Sequence, residues 1–158
     1  MTPPLRAWRS AVLVATAVLL VDQVSKRIVV GSLERGEHVK FFLGVELTHV
    51  RNKGVAFGAL GGGGTLVTVV TVAAVVLLAL YFAANTSRAH LWLPFGIVAG
   101  GALGNLADRV REGSVVDWID PILWPAFNIA DVAIVVGILG LLYVLEAPRG
   151  AGGRRAAS

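Results

Sequence analysis

Apolar residues along this chain gather into four long runs, separated by polar stretches of very unequal length. The first run follows a basic leader with Arg6 and Arg9 and extends from Ala11 to about Val30. Its core, Ala11 to Val21, is also the length of a signal-peptide core, but no small-x-small cleavage site follows; the next residues are Asp22, Gln23, Val24, Ser25 and Lys26. A membrane helix needs roughly 20 residues, so the extended run is read as a first span. Thr65 to Ala84 is uncharged and rich in Val and Leu, a second span whose threonine hydroxyls can bond back to the helix. Leu91 to about Arg109 is a third, with Gly96, Gly100, Gly101 and Gly104 near the i, i+4 spacing that lets membrane helices approach closely. Phe127 to about Glu146 is the fourth.

Between spans one and two, residues 31–64 are the only sizeable non-helical region. Within it Leu43 to Thr48 alternates apolar and polar positions, which predicts a strand in a small sheet. Asn52 beside Gly54 reads as a turn whose side-chain amide could reach a substrate backbone, and Gly61 to Gly64 reads as a flexible connection. Val110 to Ala126 connects spans three and four, with Trp118 and Trp124 suited to a membrane–water interface and Asp120, before Pro121, read as a solvated turn residue. The Gly/Ala/Arg stretch 149–158 reads as a disordered tail after a single domain over 1–148. The expected fold class is thus an all-α integral membrane protein: four transmembrane helices with a small β-sheet, extracytoplasmic if the termini are cytoplasmic.

Composition agrees. The chain is 56% hydrophobic and 15% charged, with mean hydropathy +0.75, values that suit a membrane protein better than a soluble domain. The net charge of +4 is spread without a basic helix or aromatic-interleaved patch, so no nucleic acid partner is expected and anionic lipid is the natural counterpart. With no cysteine, disulfides, thiolate nucleophiles and cysteine-based metal sites are excluded; His38, His49 and His90 lack HExxH spacing. No metal and no cofactor is expected.

Four spans in series bring the end of span one, the start of two, the end of three and the start of four to one membrane face. Those places carry Asp22 and Lys26 (i, i+4), Asn52, the Asn105, Asp108 and Arg109 cluster, Asp117, and Asn128 with Asp131 (i, i+3). Bland readings exist for each piece: Asp22 and Lys26 as a snorkelling pair, Asp108 and Arg109 as an ion pair among headgroups. Their convergence points instead to a site. Asp117 and Asp131 suit water activation, one ionised as base and one protonated on the scissile carbonyl, because adjacent carboxylates cannot both ionise cheaply. No serine has a GxSxG setting and no GxGD signature is present. A proton-coupled transporter is the competing reading, and a purely structural subunit would leave the polar clusters unexplained. Orientation is open from charge alone: the basic leader favours a cytoplasmic N-terminus, whereas Lys26, Arg27, Arg35, Lys40, Arg51, Lys53, Arg109 and Arg111 give the other face more basic residues.

Five stretches in order, Asp22 with Lys26, Asn52-Lys53-Gly54-Val55-Ala56-Phe57, Gly100 to Arg109, Val115-Val116-Asp117 and Phe127-Asn128-Ile129-Ala130-Asp131, together resemble lipoprotein signal peptidase, the type II bacterial signal peptidase. The resemblance implies an intramembrane aspartyl endopeptidase that cuts prolipoprotein signal peptides before a diacylglyceryl-modified cysteine, in the bacterial inner membrane, with both termini cytoplasmic. It implies Asp117 and Asp131 as the catalytic dyad, Asn52, Asn105, Arg109 and Asn128 as lining or supporting residues, and Asp22, Lys26 and Asp108 as holding the site. A monomer in contact with membrane lipid is expected. Trp118 stands where the family often has phenylalanine, which preserves an apolar wall.

Overall fold

The structure, a computed structural model, describes residues 2–54 and 63–147. Val55 to Phe57 of the second motif, Gly61 and Gly62 of the glycine run and the tail 149–158 lie outside the described residues. Among the described residues four long helices and three strands follow in order: α1 (Pro3–Ser32), β1 (His38–Phe42), β2 (Val45–Asn52), α2 (Gly63–Ala84), α3 (Trp92–Glu112), β3 (Val115–Pro121) and α4 (Ile129–Glu146). Two helices among the described residues, Gly64–Ala84 and Ile129–Glu146, are long and apolar enough to cross a membrane by length and composition. In α2 the hydroxyls of Thr68 and Thr71 donate to the carbonyls of Gly64 and Val67 (2.7 and 2.8 Å), which satisfies them within an apolar helix.

Helix α3 is the centre of the bundle, packed against α1, α4 and α2. Its glycines explain how. A Cβ on Gly96 or Gly100 would lie 2.6 Å from the carbonyl oxygen of Ala11 or Ala15 on α1, and one on Gly101 would lie 2.6 Å from the Ala130 carbonyl on α4. The stripe therefore serves two neighbours at once, and α4 reciprocates with Gly137 against Val98. Gly100→Ala should cost about 1–3 kcal/mol through backbone separation, measured as a lower apparent Tm in detergent; an unchanged Tm would mean that α1 and α3 are not in close contact. Away from the polar end, Phe82 and Phe95 stack at 4.2 Å, with Trp8 edge-on to both, in a core shared with Ala11, Leu91 and Ala99. Arg88 caps α4 by donating to the carbonyls of Val144 and Leu145.

The three strands form one antiparallel sheet in the order β1-β2-β3. The strand expected over Leu43–Thr48 is corrected by one turn: Leu43 and Gly44 have φ of 43° and 82° and make the hairpin between β1 and β2. Such a two-residue turn needs left-handed backbone at both positions, which Gly44 adopts without strain. The connection read as Val110 to Ala126 contains β3, paired to β2 with Val50 opposite Asp117 and Asn52 near Val115. Asp120 is therefore a strand residue opposite Glu46 rather than a solvated turn. Alternation alone could not find β3, because Val115, Val116 and Asp117 are all buried against helices and the strand has no solvent face at its start.

Candidate active site

Asp131 stands at the third position of α4, where Asn128 caps the helix. The Asn128 Oδ1 accepts from the Asp131 backbone N–H at 3.0 Å, and Asp131 Oδ2 accepts from the Asn128 backbone N–H at 3.2 Å, a reciprocal capping box. Helix α4 thus begins at Ile129, and Asn128, expected inside the fourth span, is the residue just before it. An acidic group in the first turn also meets the favourable end of the helix dipole. The other Asp131 oxygen accepts from Asn105 Nδ2 at 2.7 Å.

Asp117 is brought beside this helix start by β3 and is 2% exposed. Its Oδ1 accepts from Asn128 Nδ2 at 2.7 Å and its Oδ2 from Asn52 Nδ2 at 2.8 Å. Asn128 therefore donates to both aspartates, through its side chain to Asp117 and its backbone to Asp131. The Asn52 amide is oriented from both ends: Nδ2 donates to Asp117 and Oδ1 accepts from Gly54 N at 2.8 Å, which leaves the second Nδ2 hydrogen for another acceptor. Burial pushes the Asp117 carboxyl up to about 6, against the lowering effect of the Asn52 hydrogen bond; the charge of Asp131 raises it further, while Asn128 and Lys26 oppose.

Behind the two aspartates lies a buried ionic cluster. Lys26 Nζ is 2.8 Å from Asp22 Oδ2, 2.9 Å from Asp108 Oδ2 and 2.9 Å from Asn105 Oδ1. Lys26, Asp22 and Asp108 are all buried, so neither the snorkelling pair nor an Asp108–Arg109 headgroup pair is what forms. Gly104 makes room for this cluster, since a Cβ there would sit 2.5 Å from Asp22 Oδ2. Asp22 Oδ1 accepts from the Ala130 backbone N–H at 3.0 Å and Asp108 Oδ2 from the Val116 N–H at 3.3 Å. One ammonium thus ties α1 and α3 together, while its two carboxylates reach the backbones of α4 and β3. Asn105 transmits the arrangement: its Oδ1 accepts from Lys26 and Asn128, which leaves Nδ2 facing Asp131.

The structure brings together Asp22, Lys26, Asn52, Asn105, Asp108, Asp117, Asn128 and Asp131. Arg109 lies close enough to Asp131, Asp117 and Asp108 to feel their charges, but among the described residues its hydrogen bond is to the Asn105 carbonyl of its own helix at 3.4 Å. Gln23 was not anticipated. Its Nε2 donates to Asp108 Oδ1 at 2.8 Å and its Oε1 accepts from Arg111; an amide next to Asp22 in an otherwise apolar run was the available signal.

A family model described as Signal peptidase (SPase) II matches residues 14–146. A lipoprotein signal peptidase of Moorella thermoacetica is 41% identical over 147 residues, covering 90% of this chain and 96% of that protein. One of Pelotomaculum thermopropionicum is 42% identical over 135 residues, 84% and 89% of the two chains. Among solved structures, a bacterial membrane enzyme determined by the in meso method at 2.3 Å superposes with a TM-score of 0.79 at 28% identity, over 94% of each chain.

Proposed function

The chain belongs to the signal peptidase II family, and on that premise we propose that it is an intramembrane aspartic endopeptidase that removes signal peptides from prolipoproteins. The cut falls before a cysteine carrying a diacylglyceryl group. The observation that carries the reading is Asn128, which holds both carboxyls at once, Asp117 by its side chain and Asp131 by its backbone. Two carboxyls held by one residue share a proton more readily than they carry two charges. The ionised member takes a proton from water as the oxygen attacks the scissile carbonyl, and the protonated member donates to the carbonyl oxygen. Collapse of the tetrahedral adduct expels the amine, which takes up a proton from the dyad. Asn52, Asn105 and Asn128 orient the dyad, and the Lys26 cluster holds Asn105. Arg109, half-buried and within reach of the charges of both aspartates, is assigned to lining and supporting the site.

All four helices cross the bacterial inner membrane in this reading, with both termini cytoplasmic and the sheet outside, the protein acting as a monomer. It is supported by the outward apolar side chains of α1, α2 and α4, among them Leu13, Leu20, Ile28, Val69, Leu77, Leu139 and Tyr143. Of the charges on α1 and α3, Asp22, Lys26 and Asp108 are buried in the cluster, while Arg27, Arg111 and Glu112 are exposed toward the same end of the bundle. A proton-coupled carrier would have no use for a carboxylate borne on a strand, as Asp117 is.

Purified protein should cleave a diacylglyceryl-modified prolipoprotein in the presence of chelator and leave the unmodified precursor intact. Failure by a folded preparation would remove the proposal. The pH profile of kcat/KM should carry a limb near the Asp117 value of about 6. Asn52→Ala removes a hydrogen bond that favours the ionised carboxylate, so it should move that limb to higher pH; an unmoved limb would separate Asp117 from the chemistry. Stability has a defined sign as well. The folded value lies above the ordinary 3.8, so the folded state holds the extra proton between about 4 and 6, and this contribution to stability declines as pH rises through that window.

A further inference from the structure

The sheet carries a second polar cluster that the peptidase reading does not use. His38 of β1, Glu46 of β2 and Asp120 of β3 bring one ligand atom each to within 4.8 Å of one another. His38 Nδ1 lies 3.4 Å from Glu46 Oε2 and 3.2 Å from Asp120 Oδ2. Glu46 and Asp120 are direct cross-strand partners, and like charges placed directly opposite destabilise a sheet. One imidazole Nδ1 carries at most one proton, so it cannot donate well to two carboxylates. Lys40 stands opposite Glu46 in the register, yet among the described residues it makes no ion pair with either acid. With neutral imidazole the trio holds two negative charges and one nitrogen lone pair.

We propose that His38, Glu46 and Asp120 bind one divalent transition-metal ion, of which Zn²⁺ is the best match, and that this ion clamps the three strands together. Zinc binds imidazole nitrogen and carboxylate oxygen at about 2.0–2.2 Å, and the edge of a tetrahedron of that size is roughly 3.4 Å. The nitrogen–oxygen separations of 3.2 and 3.4 Å match two edges of such a tetrahedron, and all three ligand atoms lie within 4.8 Å of one another. Imidazole combined with carboxylate favours zinc over calcium or magnesium, which prefer oxygen alone. Asp120 is three residues from Asp117 on β3, so alternation sends their side chains to opposite faces. The ion is therefore structural and separate from the dyad. It has a job there, because all five residues of β1 are exposed and the strand is held to β2 by a ladder with a register shift. A bound ion adds a cross-link through side chains.

The test is zinc chloride titrated calorimetrically into the full-length, untagged, metal-stripped protein in detergent micelles, with melting followed in parallel. One Zn²⁺ per chain and a Tm raised by several degrees are expected. His38→Ala and, separately, Asp120→Asn should each weaken binding at least tenfold and abolish the Tm shift, while His90→Ala, at the other end of the bundle, should change neither. No zinc uptake by the wild type would overturn the proposal. So would uptake unchanged in both site variants, or calcium binding as tightly as zinc. Because the readout is binding and melting, failure here leaves the peptidase reading untouched, and loss of peptidase activity leaves this one untouched.

Discussion

Asp117→Asn and Asp131→Asn should each reduce cleavage of a lipid-modified prolipoprotein by about 10³-fold or more while the protein remains folded. The size follows from the double duty proposed for each carboxyl, since a positioned acid or base alone contributes roughly 10²–10⁴-fold. The fold should tolerate the change with a modest loss. Both oxygens of each aspartate accept a hydrogen bond, from Asn52 and Asn128 for Asp117 and from Asn105 and Asn128 for Asp131. An asparagine would turn an NH₂ toward one of these donors, at a cost of about 1–3 kcal/mol. The pair of measurements is therefore single-turnover cleavage and thermal melting on the same preparation. A folded Asp131→Asn with cleavage within tenfold of wild type would sink the dyad mechanism.

Lys26→Met should be the most destabilising single change at the site. The methionine fits the space of the aliphatic stem but leaves Asp22 and Asp108 facing each other without their cation. Removing one partner of a buried ion pair costs about 3–5 kcal/mol, because the remaining charge is desolvated and unpaired. For a chain of this size that corresponds to an apparent Tm lower by on the order of 10 °C. Activity should fall too, since Asn105 Oδ1 loses one of the two donors that keep its Nδ2 on Asp131. Adding Asp108→Asn to Lys26→Met should recover part of the lost stability by removing one uncompensated charge. A Lys26→Met protein that melts like the wild type would show the cluster to be solvated.

How much of this was legible in the residues depends on the range of the interaction. Helix positions followed from apolar runs, and the grouping of Asp22, Asn105, Asp117 and Asp131 followed from the alternation of direction that consecutive helices impose. Asp22 and Lys26 could be paired from i, i+4 spacing because both sit on one helix. Asp108 could not be assigned to Lys26 in the same way, since its neighbour in sequence, Arg109, offers an equally plausible cation; burial of one and partial exposure of the other made the choice. Asn52 looked like a free turn amide because nothing local reveals that β2 and β3 are paired.

The sequence by itself determined the membrane character, the four-helix order, the family and the identity of the polar residues that converge, because these rest on apolar periodicity, on short motifs and on the order in which they follow along the chain. Tertiary structure decided which partner each polar atom takes: Asn52 to Asp117, Asp108 to Lys26, Asp120 to His38 and Glu46. It also decided which face of α3 each glycine serves. The physical reason is that a buried donor or charge must be satisfied by whatever the packed chain places within about 3 Å of it, and that distance is set by the strand register and helix approach, to which no single segment holds the key.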